Sequence, residues 1–295
     1  MESKIDYKSA VENIRTELKT YISKGNLKSL VLGVSGGIDS TLCALLAKPV
    51  CDELNIPLIG RSLPTNSNSG GENSRASKIG KILCSDFKEV NIQHSFTNLT
   101  YLVNESTTVR HPYTDQRVIQ NGNVKARIRM IYLYDVASIN QGIVLSTDNY
   151  AESLIGFWTL HGDVGDYGMV QSLWKTEVYE MADWIVENEL TIDFQKKAIQ
   201  DVIDADATDG LGISKSDLDQ IMPGWEGNSR DGYEKVDDIL QSWQKAKNPN
   251  TIFVEVTKQN PLKVLKGSPV IKRHLRTEFK RNNPFNIPRE NITNK

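Results

Sequence analysis

The hydrophobic positions change their period along the chain. Between residues 7 and 23 the apolar residues Val11, Ile14, Leu18, Tyr21 and Ile22 recur at the spacing of one helix face, and Gly25 follows as a stop. Residues 29–34 form a short apolar run, the pattern of a buried strand. A glycine pair interrupts it, and residues 41–46 resume as a helix that Pro49, or the residues just after it, should end. The same alternation predicts strands at 57–60, 87–92 and 142–147, and helices at about 74–83 and 124–140. Short strands alternating with helices predict an α/β fold, an open and mostly parallel sheet with helices on both faces. Right-handed crossovers then place the strands' carboxyl ends along one edge, where ligands of open sheets bind. After about residue 190 the strand signals fade, and segments near 215–222, 233–247 and 270–280 read as helices. The expectation is a single domain over 1–295, with a core of about 1–190 and a helical C-terminal extension of about 191–295.

Composition narrows the class. With 39% hydrophobic and 24% charged residues the chain can bury a core, which argues against wholesale disorder. Lys and Arg number 35 against 37 Asp and Glu, so the net charge is −2. A nucleic-acid partner is not expected of so neutral a chain; a polyanionic ligand must be met by a local cluster. Residues 1–8 are polar, unlike a secretory signal, and no apolar run approaches the roughly 20 residues of a membrane span. The cysteines, Cys43, Cys51 and Cys84, form no CxxC pair. A cytoplasmic protein with no membrane partner is the expectation.

The candidate chemistry begins at the glycine pair. Gly33-Val34-Ser35-Gly36-Gly37-Ile38-Asp39-Ser40 joins a strand to a helix. Glycines there let backbone N–H groups turn inward, and the helix start adds its own free N–H groups, so the loop suits phosphate. It is not a Walker A loop, which would need Gly at Ile38 and Lys at Asp39. A carboxylate beside phosphates is repulsive unless a divalent cation lies between them, which makes Asp39 a candidate Mg²⁺ ligand. The bland alternative for Asp39 is an N-capping residue in a strand-to-helix turn.

Ser35-Gly36-Gly37-Ile38-Asp39-Ser40 resembles the SGGxDS signature of the ATP pyrophosphatases, the PP-loop fold, whose members cleave ATP between its α- and β-phosphates. Three later segments resemble NAD synthetases: 121–130 (NGNVKARIRM), 146–157 (STDNYAESLIGF) and 277–281 (TEFKR). The resemblance is to the ammonia-dependent form, because 295 residues leave no room for a glutaminase-sized domain. It implies a ligase that forms NAD⁺ from deamido-NAD⁺, ATP and ammonia through an adenylated nicotinate, with Mg²⁺ as cofactor, acting as a homodimer. It also implies roles: Asp39 and Glu152 on the metal; Gly33 through Ser40, Thr147 and Lys175 on ATP; Arg127, Asp166, Phe279 and Lys280 on the dinucleotide. Asp166, reached by allowing a one-residue deletion, matches an aspartate near the nicotinate ring and the ammonia site.

The chain also departs from the family pattern. Leu160 and His161 stand where a lysine and a tyrosine are usual, Phe279 replaces a histidine, and Arg61 comes one position early before Leu63-Pro64. The family's PTADL segment has no clear counterpart between residues 198 and 202. Two other readings follow from these facts. One is another PP-loop amidating or tRNA-modifying enzyme, which would want paired cysteines or a basic surface. The other is a nucleotide-binding homologue that has lost turnover.

Overall fold

A computed structural model describes residues 5–106, 115–208, 210–247 and 261–293. In chain order the elements are α1 (Tyr7–Gly25), β1 (Ser29–Gly33), α2 (Ile38–Leu54), β2 (Leu58–Ser62), α3 (Gly70–Leu83), β3 (Asp86–Glu89), α4 (Gln93–Ser106) and α5 (Asp115–Ile139). They continue with β4 (Gly142–Ser146), α6 (Tyr150–Ile155), β5 (Tyr167–Gly168), α7 (Lys175–Asn188), α8 (Asp193–Ile203) and α9 (Asp217–Ile221). The last five are α10 (Ser229–Lys247), α11 (Pro261–Lys266), α12 (Pro269–Arg276), α13 (Glu278–Arg281) and α14 (Arg289–Thr293).

The five strands form one parallel sheet in the order β3-β2-β1-β4-β5, with Leu30 opposite both Leu58 and Ile143. Successive β1 side chains point to opposite faces, as the strand period of two requires. Leu30 and Leu32 enter a core shared with α1, α2, α7 and α8, whereas Val31 packs with Ile59, Val144 and Ala137 of α5 on the other face. The chain winds outward through β2 and β3, then returns to the opposite side of β1. The carboxyl ends of β1 and β4 therefore flank a topological switch point, the crevice where such sheets bind ligands.

The structure corrects several expected boundaries. Pro49 does not end α2, which continues to Leu54. A proline cannot supply the N–H that the carbonyl four residues earlier would accept. Here Arg15 Nη2 from α1 donates to that carbonyl, Leu45 O, at 3.2 Å. α3 starts at Gly70 because Ser69 and Glu72 form a reciprocal capping box. A fifth short strand and helix α4 were not expected, and α5 begins at Asp115 rather than near 124.

Beyond the sheet, a second core gathers α6, α9, α10 and α12 through Ala151, Ile155, Leu218, Tyr233, Val236, Leu240, Trp243, Val270 and Ile271. α9, α10 and the α12–α13 pair fall near the expected segments, the last broken at Thr277, whereas α7, α8, α11 and α14 were not expected. α6 thus hangs from the sheet by its N-terminal end and packs into the C-terminal core with its apolar face.

Candidate active site

The glycine loop closes on itself before any ligand is considered. Ser35 Oγ accepts from Gly37 N at 3.2 Å and lies 3.0 Å from Ser40 Oγ, which donates to Gly37 O at 3.1 Å. Gly36 has φ +81°, and a Cβ there would meet Glu72 O at 2.6 Å, so α3 can approach only because the side chain is missing. Asp39 lies in the first turn of α2, where a carboxylate is favoured by the helix dipole.

Three charged side chains from three helices meet at this loop. Lys175 Nζ donates to Asp39 Oδ2 at 2.5 Å and to Glu152 Oε1 at 2.9 Å. Lys175 is 1% exposed and its ammonium lies 4.9 Å from the centre of the Tyr233 ring. Asn149 positions both carboxylates: its Nδ2 donates to Asp39 Oδ1 at 2.9 Å, and its Oδ1 accepts from Glu152 N at 3.0 Å as the N-cap of α6. Burial opposes the charge on Lys175, but Asp39 and Glu152 outweigh it and hold the ammonium well above its ordinary pKa. One cation cannot compensate two anions, so burial, with Asp39 beside it, pushes Glu152 up to about 7.

The charge on Lys175 is also fixed from behind. Asp237 of α10, 1% exposed, accepts from both Thr176 N and Thr176 Oγ1 at 2.9 Å. It caps the first turn of α7 from another helix, since Trp174 at the N-cap position makes no side-chain cap bond. Burial pushes Asp237 up to about 7, against the lowering effect of its bonds to Thr176.

A cleft of about 510 Å³ runs along the carboxyl edge of the sheet. Gly33, Val34, Ser35, Gly36, Gly37, Ile38, Asp39, Thr147, Glu152 and Lys175 all line it, and Ser40 braces the loop from beneath. Lys280 lines it as well. Its ammonium donates to Gly156 O at 2.8 Å and to Trp158 O, and burial, aided by Arg273, pushes it down to about 8.

Three expected residues are not brought to the cleft. Asp166 is exposed, with Oδ1 accepting from Tyr134 OH at 3.0 Å and Oδ2 from Val144 N at 2.9 Å, so it ties the loop to β4 and α5. Asp163 lines the cleft in its place, its carboxylate accepting from Thr159 N and its pKa raised by burial. Phe279 is 61% exposed and points away from the lining. Arg127 lies on the exposed face of α5, donating to Leu160 O at 3.2 Å. Its neighbours on that helix are structural. Lys125 donates to Ser67 Oγ and Leu211 O, and Arg129 to Leu63 O, Asn68 Oδ1 and Gly210 O, clasping two loops over the cleft.

Some residues of the site carry a local sequence signal. Asn149 and Glu152 have the N-cap and N3 spacing of a capping box. Asp148 precedes α6; it is buried in the cleft wall and raised well above its ordinary pKa by burial and Asp163. Thr208, bonded to Glu72, lines the cleft after α8 and supplies a threonine downstream of residues 198–202. Arg273 and Arg276 reach the lining from α12, which only the tertiary fold brings near.

Known proteins share this architecture. The NAD synthase family model matches residues 10–284. The NH₃-dependent NAD⁺ synthetase of Vibrio atlanticus is 29% identical over 245 residues, covering 79% of this chain and 88% of that protein. That of Thermococcus kodakarensis is 31% identical over 220 residues, covering 74% and 81%. Among solved structures, the NMN synthetase from Francisella tularensis superposes with a TM-score of 0.71 at 22% identity, covering 96% of this chain and 99% of that one. The NH₃-dependent NAD synthetase from Campylobacter jejuni does so with 0.66 at 21% identity, covering 97% and 100%. With a glycine loop, paired carboxylates and a buried lysine at the switch point, and a family match over most of its length, the chain belongs to the NAD synthase family.

Proposed function

We propose that this amide-forming ligase converts deamido-NAD⁺ to NAD⁺, using ATP and ammonia and releasing AMP and pyrophosphate. The observation that carries the reading is the meeting of Asp39, Glu152 and Lys175 at the mouth of the phosphate loop. A carboxylate is a poor acyl donor, whereas its mixed anhydride with AMP is a good one. In the first step the nicotinate carboxylate oxygen attacks the α-phosphorus of ATP and pyrophosphate leaves. In the second, ammonia attacks the activated carbonyl, AMP departs, and the nitrogen loses a proton.

The chain's residues contribute by positioning and by neutralising charge. The N–H groups of the glycine loop, with Ser35 and Ser40 bracing it, cradle the pyrophosphate. Thr147, and Thr208 across the cleft, face the nucleoside. Asp39 and Glu152 suit Mg²⁺, since they already share one buried cation between two carboxylate oxygens; when bound, the ion would neutralise the phosphates. Lys175 transfers its ammonium to phosphate oxygens. Lys280 faces the nicotinate side, and Asp163 is the carboxylate placed to hold ammonium and accept its proton. Arg127, outside the cleft, belongs to a face that a second copy can use. Leu99, Tyr101, Leu102 and Val103 of α4 and Ile131 of α5 are exposed apolar residues, which supports a homodimer.

The test is one incubation of the purified chain with deamido-NAD⁺, MgATP and ammonium, following AMP and NAD⁺ together. Equal amounts of the two are expected, and none when glutamine replaces ammonium. The fold shared with an NMN synthetase sets the competing substrate. Turnover with nicotinic acid mononucleotide and none with deamido-NAD⁺ would overturn the dinucleotide assignment.

A further inference from the structure

Lys175 is buried more deeply than gripping phosphates requires. A lysine that only waited for ATP would keep its ammonium open to solvent. This one is 1% exposed, and its ammonium bonds the two carboxylates assigned above to the metal, at 2.5 and 2.9 Å. Tyr233 closes its remaining side. The ammonium therefore occupies the space between the two oxygens that a divalent ion would use.

We propose that Lys175 is an internal counter-cation that keeps the metal position closed until a polyphosphate arrives, so that metal and nucleotide bind only together. The proposal rests on the assignment of Asp39 and Glu152 to the metal. Its physical basis is charge. A divalent ion entering alone would have to displace Lys175, leaving a desolvated ammonium without its anions and close to a doubly charged neighbour. A polyphosphate removes both costs, because its oxygens receive the ammonium and complete the metal's oxygen shell. By linkage the help is mutual: the metal must raise the affinity for polyphosphate by the factor by which polyphosphate raises the affinity for metal.

The full chain is titrated with Mn²⁺ alone, read by electron paramagnetic resonance, as wild type, Lys175→Gln and Lys175→Arg. Lys175→Gln, which keeps a donor but no charge, is expected to bind Mn²⁺ at least tenfold more tightly than wild type. Lys175→Arg is expected to stay as weak as wild type. Adding Glu152→Gln to Lys175→Gln should abolish the gain. Equal Mn²⁺ affinity in wild type and Lys175→Gln, or an Arg variant as open as the Gln variant, would overturn the counter-cation role. A gain that survives Glu152→Gln would instead overturn the metal assignment beneath it. Should Lys175→Gln not fold, the wild type decides. Its thermal midpoint should not move with Mg²⁺ alone, and should rise with Mg²⁺ and inorganic pyrophosphate together by more than the two separate shifts added. A midpoint raised as much by Mg²⁺ alone would refute the proposal.

Discussion

The sheet half and the helical C-terminal half give the cleft different things. The sheet half supplies lining groups through local geometry: the loop after β1, Thr147 after β4, and Asp39 in the first turn of α2. Each sits where a strand ends and a helix begins. The C-terminal half supplies few such groups and mostly holds others in place. Asp237 caps α7 from α10 and so fixes Lys175. His274 Nδ1 lies 2.7 Å from Leu154 O, and Arg273 donates to Ile155 O at 3.2 Å and Lys280 to Gly156 O at 2.8 Å. Two cations, Arg273 and Lys280, and the His274 ring, whose pKa burial lowers, meet the carbonyl end of α6, the helix that carries Glu152, where the dipole favours positive charge. Gly156, at φ +61°, lets Thr277 press against that end, since a Cβ there would lie 2.4 Å from the Thr277 Cβ. The basic C-terminal cluster is thus chiefly a clamp on α6 and the loop that follows it. The difference teaches that a buried charge cluster can straddle two cores, with one supplying its groups and the other their aim.

The largest expected effects test whether both halves are needed at the metal. Asp39→Asn from the sheet half and Glu152→Gln from α6 should each lower kcat at least roughly a hundredfold, with the circular dichroism spectrum kept. Near wild-type turnover of either variant at limiting Mg²⁺ would remove that residue from the metal site.

The next effect isolates the clamp behind Lys175. In the folded state Asp237 has its pKa raised from 3.8 to about 7, so the native state holds its proton more tightly than the unfolded chain. Stability from this group is full below about pH 4 and is lost as pH rises toward 7, by at most about 1.4 kcal/mol per pH unit. Asp237→Asn does not titrate, so the variant should show a flatter stability profile between pH 4 and 7. Urea unfolding at several pH values checks this; parallel profiles would mean that Asp237 is not strained by burial.

Lys280→Ala should raise the KM for deamido-NAD⁺ about tenfold, a loss of about 1.4 kcal/mol, and change the KM for ATP less. Burial lowers the Lys280 ammonium to about 8, so its charge is lost as pH rises through that value. The wild-type KM for the dinucleotide should accordingly climb above about pH 8, and the climb should vanish in the variant. Initial rates at fixed ATP across that range decide it. The smallest effect belongs to Asp166→Asn, expected within about threefold of wild-type kcat/KM, or roughly 0.6 kcal/mol. A larger loss there than in Asp163→Asn would return the ammonia-side role to Asp166.

What the sequence determined by itself was whatever short-range pattern encodes. The apolar runs at 29–34, 57–60 and 142–147 and the glycine pair between the first strand and helix specified a parallel sheet with a phosphate loop at its edge. Asp39, Glu152 and Lys175 were legible because the motifs that carry them are contiguous. Cys43 and Cys51 read as small core residues and are buried in α2. The tertiary structure alone decided three other matters. It carried α2 past Pro49 by bringing Arg15 to the orphaned carbonyl of Leu45. It chose between two aspartates three positions apart, turning Asp163 into the cleft and spending Asp166 on Val144 and Tyr134. It brought together Asp39 and Lys175, 136 residues apart, over a tyrosine from α10. Helix and strand periods follow from backbone geometry and are written in neighbouring residues. The partner of a buried charge is set by packing between distant segments, because a low-dielectric interior forces each charge to find whatever counter-charge the fold brings within reach.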